Sequence, residues 1–295
     1  MGLIILRDND ALDINPPAGD QHLSVNGSDW LWAVTAVFVL SFIIFVGLTF
    51  IAKAGEKIFH YLFAIALLVG SIAYFAMASD LAFSVVTQVD QLHMGHTRQI
   101  FWAKYVYWVV SWPVAIIALG LISGVAWATI AYNIALAWVW AIAYICSAYT
   151  ASTYKWGFYA FGTIAWCLLA FQTLFVGNRR ATQMNVVKTH HIALASWTNL
   201  LWLLYPIAFG LSDGGNRIKE TAGFIFFGIL DILLIPVLAF CFIGLGNSWD
   251  YNRLNLAFTQ YGRVPVSAGT FPEKEAAATP AGGPVTSQPA PATTV

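Results

Sequence analysis

The chain has 295 residues, 59% of them hydrophobic and only 9% charged, with 14 basic and 14 acidic side chains giving a formal net charge of zero. A soluble domain carries about a quarter charged residues, so the composition points to a membrane protein. Without an excess of basic surface it excludes nucleic-acid binding.

The first 29 residues are acidic, with Asp8, Asp10, Asp13, Asp20 and Asp29, and hold no apolar core of the kind a cleaved signal peptide carries. The first apolar stretch is therefore expected to direct insertion itself. Within this segment Asn26-Gly27-Ser28 is a glycosylation acceptor pattern, with Asn26 as the candidate site.

A bilayer core of about 30 Å needs roughly 20 apolar residues per helix. Seven stretches meet that requirement: Trp30 to Ala52, Ile58 to Ser79, Ile100 to Ile122, Val125 to Ala148, Trp156 to Val176, Ile192 to Leu211 and Thr221 to Leu245. They are too long, and too evenly apolar, for strands of a transmembrane barrel. Only Ser123 and Gly124 separate the third from the fourth, which predicts an antiparallel helical hairpin. The connection from Asp80 to Gln99 has room for a small hairpin or lid, and Asp80 itself is expected at the membrane interface. Its His93-Met94-Gly95-His96 stretch offers two histidines without further ligands, too few for a metal site. Cys146, Cys167 and Cys241 fall inside apolar stretches without C-x-x-C spacing, which fits neither a disulfide framework nor zinc.

The fold class predicted is an all-α, seven-helix transmembrane bundle, with residues 30–246 as the membrane domain. Short flanking connections on one side carry Lys53, Lys57, Arg179, Arg180, Lys188, Arg253 and Arg263, against Arg98, Lys155, Arg217 and Lys219 on the other. Seven against four places the C-terminus in the cytoplasm and the N-terminus outside. Residues 247–295 form the cytoplasmic tail. Its first part, through Trp249, Leu254, Leu256 and Phe258, reads as a short interfacial helix. From about residue 264 it holds six of the 11 prolines among Ala, Gly, Ser and Thr, a composition expected to be disordered.

Ionisable residues inside a span are costly and normally face a partner in the bundle. Asp231, in the middle of the seventh stretch, and Lys104, in the third, are the two that stand out, and they are expected to pair as a buried charge cluster. Tyr74, Tyr107 and Tyr205 are candidate hydroxyl donors to the carboxylate. No nucleophile with an adjacent base, phosphate loop or metal cluster is legible, so no enzyme is expected.

These residues carry a resemblance. Seven helices with AKYVYWVVSWP in the third, WLLYP in the sixth and GILDILLIP in the seventh resemble the microbial rhodopsin family, in particular its fungal branch, over roughly Trp30 to Gly246. The family's third-helix motif runs Arg-Tyr-x-Asp-Trp-x-x-Thr-Thr-Pro. Tyr105, Trp108 and Pro113 match it, while Lys104 replaces the Arg and Tyr107 the Asp. The resemblance implies a vestigial retinal pocket of Tyr74, Tyr107, Trp108, Trp202, Tyr205, Phe209, Asp231 and Ile235, with Asp231 at the carboxylate of the chromophore's counter-ion complex.

Three departures bear on function. The lysine that forms the Schiff base stands four residues after that carboxylate, on the same helix face; here the position is Ile235, and no lysine occurs between Glu220 and Glu273. An imine with an aldehyde needs an amine, so retinal is not expected to be covalently bound and no cofactor is predicted. The proton-acceptor position is Tyr107, whose phenol titrates near 10, and the proton-donor position is Ala118. The chain is similar to the opsin-related fungal group without the retinal lysine, which includes the yeast thirty-kilodalton heat-shock membrane protein. That implies a plasma-membrane, multi-pass, non-photoactive protein, a stress-linked regulator or chaperone-like factor for a membrane-protein partner such as the proton ATPase. Besides that partner, membrane lipid and a second copy of the chain are the expected contacts. A carrier or sensor holding a small apolar ligand in the pocket is the alternative, and an ion or proton pathway a further one.

Overall fold

The computed structural model describes residues 9–53, 56–184, 187–251 and 254. Seven helices long and apolar enough to cross a membrane run Val25–Ile51, Lys57–Ala78, Trp102–Ser123, Trp127–Tyr149, Lys155–Gln183, Lys188–Leu211 and Glu220–Gly246. Each overlaps its predicted stretch, and each is set by packing as well as by hydropathy. The first begins five residues earlier than its apolar run because Ser24 caps it, its hydroxyl accepting the Gly27 amide at 3.2 Å. This puts Asn26 in the first helical turn, with the Ser28 hydroxyl buried and donating to the Ala78 carbonyl at 2.7 Å. Asn26, the candidate acceptor, is itself exposed there.

The hairpin between the third and fourth spans closes at Gly124, whose φ of +69° is the left-handed conformation that glycine takes at a helix C-terminus. The third span is the central helix, buried along most of its length, whereas the first and fifth turn much of their apolar surface outward. Residues such as Leu40, Ile43, Ile65 and Phe161 are exposed, the pattern of helices whose outer faces meet lipid. Two spans contain π-helical turns, Gln172–Gly177 in the fifth and Leu233–Val237 in the seventh. The second of these includes Pro236, whose missing N–H disrupts the regular helical ladder.

The long connection is a hairpin, as its length suggested. Strand β1 (Phe83–Thr87) pairs antiparallel with β2 (Thr97–Phe101), and Gln21 from the N-terminal segment bridges to Arg98 beside it. The exposed Asp20 carboxylate accepts the amides of His96 and Thr97, and these bonds hold it below the usual carboxylate range. Asp80, two residues past the end of the second span, is buried under this hairpin and accepts a bond from Gln99 Nε2 at 2.8 Å.

On the opposite face, Trp249 and Leu254, just after the seventh span, are buried. Trp249 packs on Phe59 and Phe242, and its indole N–H donates to His190 Nδ1 at 2.9 Å. Residues 255–295, including the predicted disordered tail and the rest of the interfacial helix, lie outside the described residues.

Candidate functional site

Asp231 is fully buried in the seventh span. The Tyr74 and Tyr205 hydroxyls each donate to one of its two carboxyl oxygens, the second at 2.5 Å. Helical geometry brings these donors in from different spans. Tyr74 lies on the inward face of the second helix, four residues after Gly70, and a Cβ at Gly70 would collide with the Phe38 ring. That close approach lets Phe38 stack on Tyr74 at 5.2 Å and meet Tyr107 edge-on at 5.6 Å. Tyr107, expected as a third donor, points its ring into this cluster, but its hydroxyl has no hydrogen-bond partner among the described residues.

One helical turn beyond Asp231, Ile235 is likewise fully buried, in the π turn. Around it the aromatic residues expected to line a pocket pack on one another. Trp108 contacts Tyr205 at 5.4 Å and Phe227 at 5.3 Å, and Trp202 meets Trp140 edge-on at 6.1 Å. Between them Trp112 stacks on Trp140 with ring centroids 4.0 Å apart, and on Trp108 at 5.0 Å. Trp112 stands where the resemblance motif has its second Thr, so a large indole replaces a small side chain. Phe209 sits further out, 4.4 Å from Tyr144 and stacked on Tyr159 at 5.9 Å. The residues present do not fit an imine-bound retinal, because the side chain at 235 offers no amine.

Lys104 is the main correction. Its ammonium pairs with Asp213, Nζ to Oδ2 2.5 Å, and forms no ion pair with Asp231 among the described residues. Nor does it reach water, being almost completely buried with its ammonium over the Phe227 ring at 4.3 Å. The long side chain extends from the first turn of the third span toward the connection between the sixth and seventh spans, where Asp213 receives it. Tyr105 donates to the same carboxyl oxygen at 2.6 Å. Arg98, on β2, completes the cluster, with Nε 3.8 Å from Asp213 Oδ1 and Nη2 2.6 Å from Glu220 Oε2. Its Nη1 donates to the Ile218 carbonyl at 2.8 Å and to Asn216 Oδ1 at 3.2 Å. Burial pushes the Asp213 carboxyl up, but Lys104 and Arg98 outweigh it and hold the group below the usual carboxylate range.

Asp231 and Lys104 therefore belong to two different sites. An inner carboxyl is held by phenols, and an outer group of two cations and two carboxylates ties the hairpin, the third span, the sixth-to-seventh connection and the seventh span together. Asp213, Glu220 and Arg98 were not singled out by the sequence. The signals available were a lone acid in the short LSDGGNR connection and another in the first turn of a span.

Comparison with known proteins agrees with this architecture. The family described as bacteriorhodopsin-like protein matches residues 27–242. Protein FDD123 of Trametes versicolor is 37% identical over 255 residues, covering 86% of this chain and 89% of its own length. The 30 kDa heat shock protein of Saccharomyces cerevisiae is 32% identical over 279 residues, covering 86% and 82%. Among solved structures, the light-driven proton pump rhodopsin of Coccomyxa subellipsoidea superposes with a TM-score of 0.72 at 22% identity, over 75% of this chain and 97% of that one. At that identity the likeness speaks for the fold alone.

Proposed function

This chain belongs to the bacteriorhodopsin-like family, and from that membership we propose that it is a light-independent, stress-linked membrane protein that acts through contacts with other membrane proteins. The observation that carries the reading is Ile235, a buried hydrocarbon one turn after Asp231, where retinal attachment requires an amine. Asp231 correspondingly takes two neutral phenols as its hydrogen-bond partners in place of a cationic imine. The close stacking of Trp112 on Trp140 supports this reading over carriage of a flat apolar ligand, which would need an open apolar cavity between such rings.

Membership and the seven spans make the chain a multi-pass membrane protein. Its likeness to a 30 kDa heat shock protein supports the stress link; a plasma-membrane location and a partner such as a proton ATPase are part of the same proposal. The reading assigns the protein no enzymatic reaction. The outer charge cluster serves it as a clamp: four side chains from four segments fix one end of the bundle, leaving the exposed apolar faces as the surfaces that meet lipid or a partner.

Crosslinking in intact membranes, followed by mild solubilisation and capture of the full chain, tests the proposal. A discrete set of membrane-protein partners whose yield rises after heat or acid stress is the expected result. Capture of the same background set before and after stress, and from a control multi-pass protein, would count against it.

A further inference from the structure

At the C-terminal end of the fifth span a groove of about 380 Å³ opens on the surface, lined by Phe171, Phe175, Val176, Arg179, Arg180 and Gln183. Its two halves differ chemically. Phe171 and Phe175 are 55% and 64% exposed and stack on each other at 5.3 Å, forming an apolar wall directed away from the bundle. One turn further on, both arginines are exposed, and Arg180 Nη1 donates to Gln183 Oε1 at 3.1 Å, which orients its guanidinium. None of the six lining residues is acidic, and among the described residues neither arginine pairs with a carboxylate. The π turn Gln172–Gly177 runs through the groove, a helix irregularity often found at functional sites.

The position along the membrane normal agrees with this division. The opposite end of the span is anchored by buried Lys155, which pairs with Asp90 at 3.6 Å. At 1.5 Å per residue, Phe175 lies roughly 30 Å from Lys155 and Arg179 roughly 36 Å, against a hydrocarbon thickness of about 30 Å. On this scale Phe171, roughly 24 Å from Lys155, falls within the acyl region, Phe175 at its boundary and the guanidinium groups among the headgroups.

We propose that this groove binds an anionic phospholipid of the leaflet on the C-terminal side. Arg179 and Arg180 hold the net-negative headgroup through its phosphate and carboxylate, for both of which the planar guanidinium fork is well matched, and an acyl chain lies along Phe171 and Phe175. The occupant is a lipid because the apolar wall and the cationic pair are stacked in the order of a phospholipid's own parts.

Native mass spectrometry of the full chain, with phosphatidylserine and phosphatidylcholine of identical acyl chains at equal concentration, tests the site. The expected result is a preference for phosphatidylserine of roughly 20-fold, reduced roughly fivefold by Arg179→Gln or Arg180→Gln singly and abolished by the double substitution. Lys188→Gln, an exposed cation that does not line the groove, should leave the preference unchanged. All these positions are exposed, so the substitutions spare the core, and each single variant is a test in its own right should the double one fail to fold. Equal binding of the two lipids by the unmodified chain would overturn the proposal. So would a preference that survives the arginine substitutions, or one that emerges only after residues 264–295 are removed, which would assign the groove to the tail carboxylates Glu273 and Glu275.

Discussion

Lys104 and Asp213 form a buried ion pair, Nζ to Oδ2 2.5 Å, that joins the third span to the connection between the sixth and seventh. Removing one partner leaves the other charge buried and uncompensated, at a cost of about 3–5 kcal/mol. Lys104→Met and Asp213→Asn should each lower thermal stability strongly, and the double variant should recover much of the loss. The same cycle run on Lys104 and Asp231 should be close to additive, because those two groups are not paired. Thermal unfolding in one detergent measures both cycles, and coupling to Asp231 in place of Asp213 would refute the assignment.

Tyr74 and Tyr205 both donate to Asp231, while the Tyr107 hydroxyl donates to nothing among the described residues. Tyr74→Phe and Tyr205→Phe should each cost about 1–3 kcal/mol, since each leaves a buried carboxyl oxygen short of its partner. Tyr107→Phe should be nearly neutral. Equal losses for all three would mean that Tyr107 has a partner in the folded membrane protein.

Two buried carboxyls outside the spans give opposite pH dependences. Burial pushes Asp80 up to about 6 from an ordinary 3.8, against the opposing effect of its bond from Gln99. The native state therefore holds its proton more tightly than the unfolded chain, and ionisation lowers stability as pH rises from about 4 to 6. Asp80→Asn should accordingly be more stable than the unmodified chain at pH 7, with the advantage gone below about pH 4. Asp213, held below its ordinary value, contributes stability at neutral pH that is lost on acidification. Unfolding temperature against pH for the two Asn variants reads both signs.

Trp249 closes the C-terminal face of the bundle through Phe59, Phe242 and His190. Truncation after Arg263 keeps this closure and should leave the unfolding temperature within a couple of degrees of the full chain. Trp249→Ala should cost about 3 kcal/mol, and truncation after Gly246 at least as much. Protease digestion with thermal unfolding distinguishes the three, and a large loss on the Arg263 truncation would show that the tail docks on the bundle.

The seven spans were legible because lipid-facing and core-facing residues are both apolar, which makes hydropathy continuous along each helix. Their ends were less so. Hydropathy falls at Gly177 in the fifth span, yet the helix continues past Arg179 to Gln183, since a polar helical surface needs no hydrocarbon around it. The partners Tyr74 and Tyr205 for Asp231 followed from the need to satisfy a carboxyl inside the membrane. The pairing of Lys104 did not, because Asp213 lies 109 residues away in a short connection and no local spacing relates the two. The burial of Arg98 under the hairpin was hidden for the same reason, since a flanking arginine and a buried one look alike in sequence.

The central claim is that the interior makes no imine with retinal. Absorption spectra of the purified full chain, incubated with all-trans retinal in the dark, test it most directly. The account predicts only the near-ultraviolet band of the free retinoid, unchanged by hydroxylamine. A red-shifted visible band that hydroxylamine bleaches would report a Schiff base at some lysine of this chain and would contradict it.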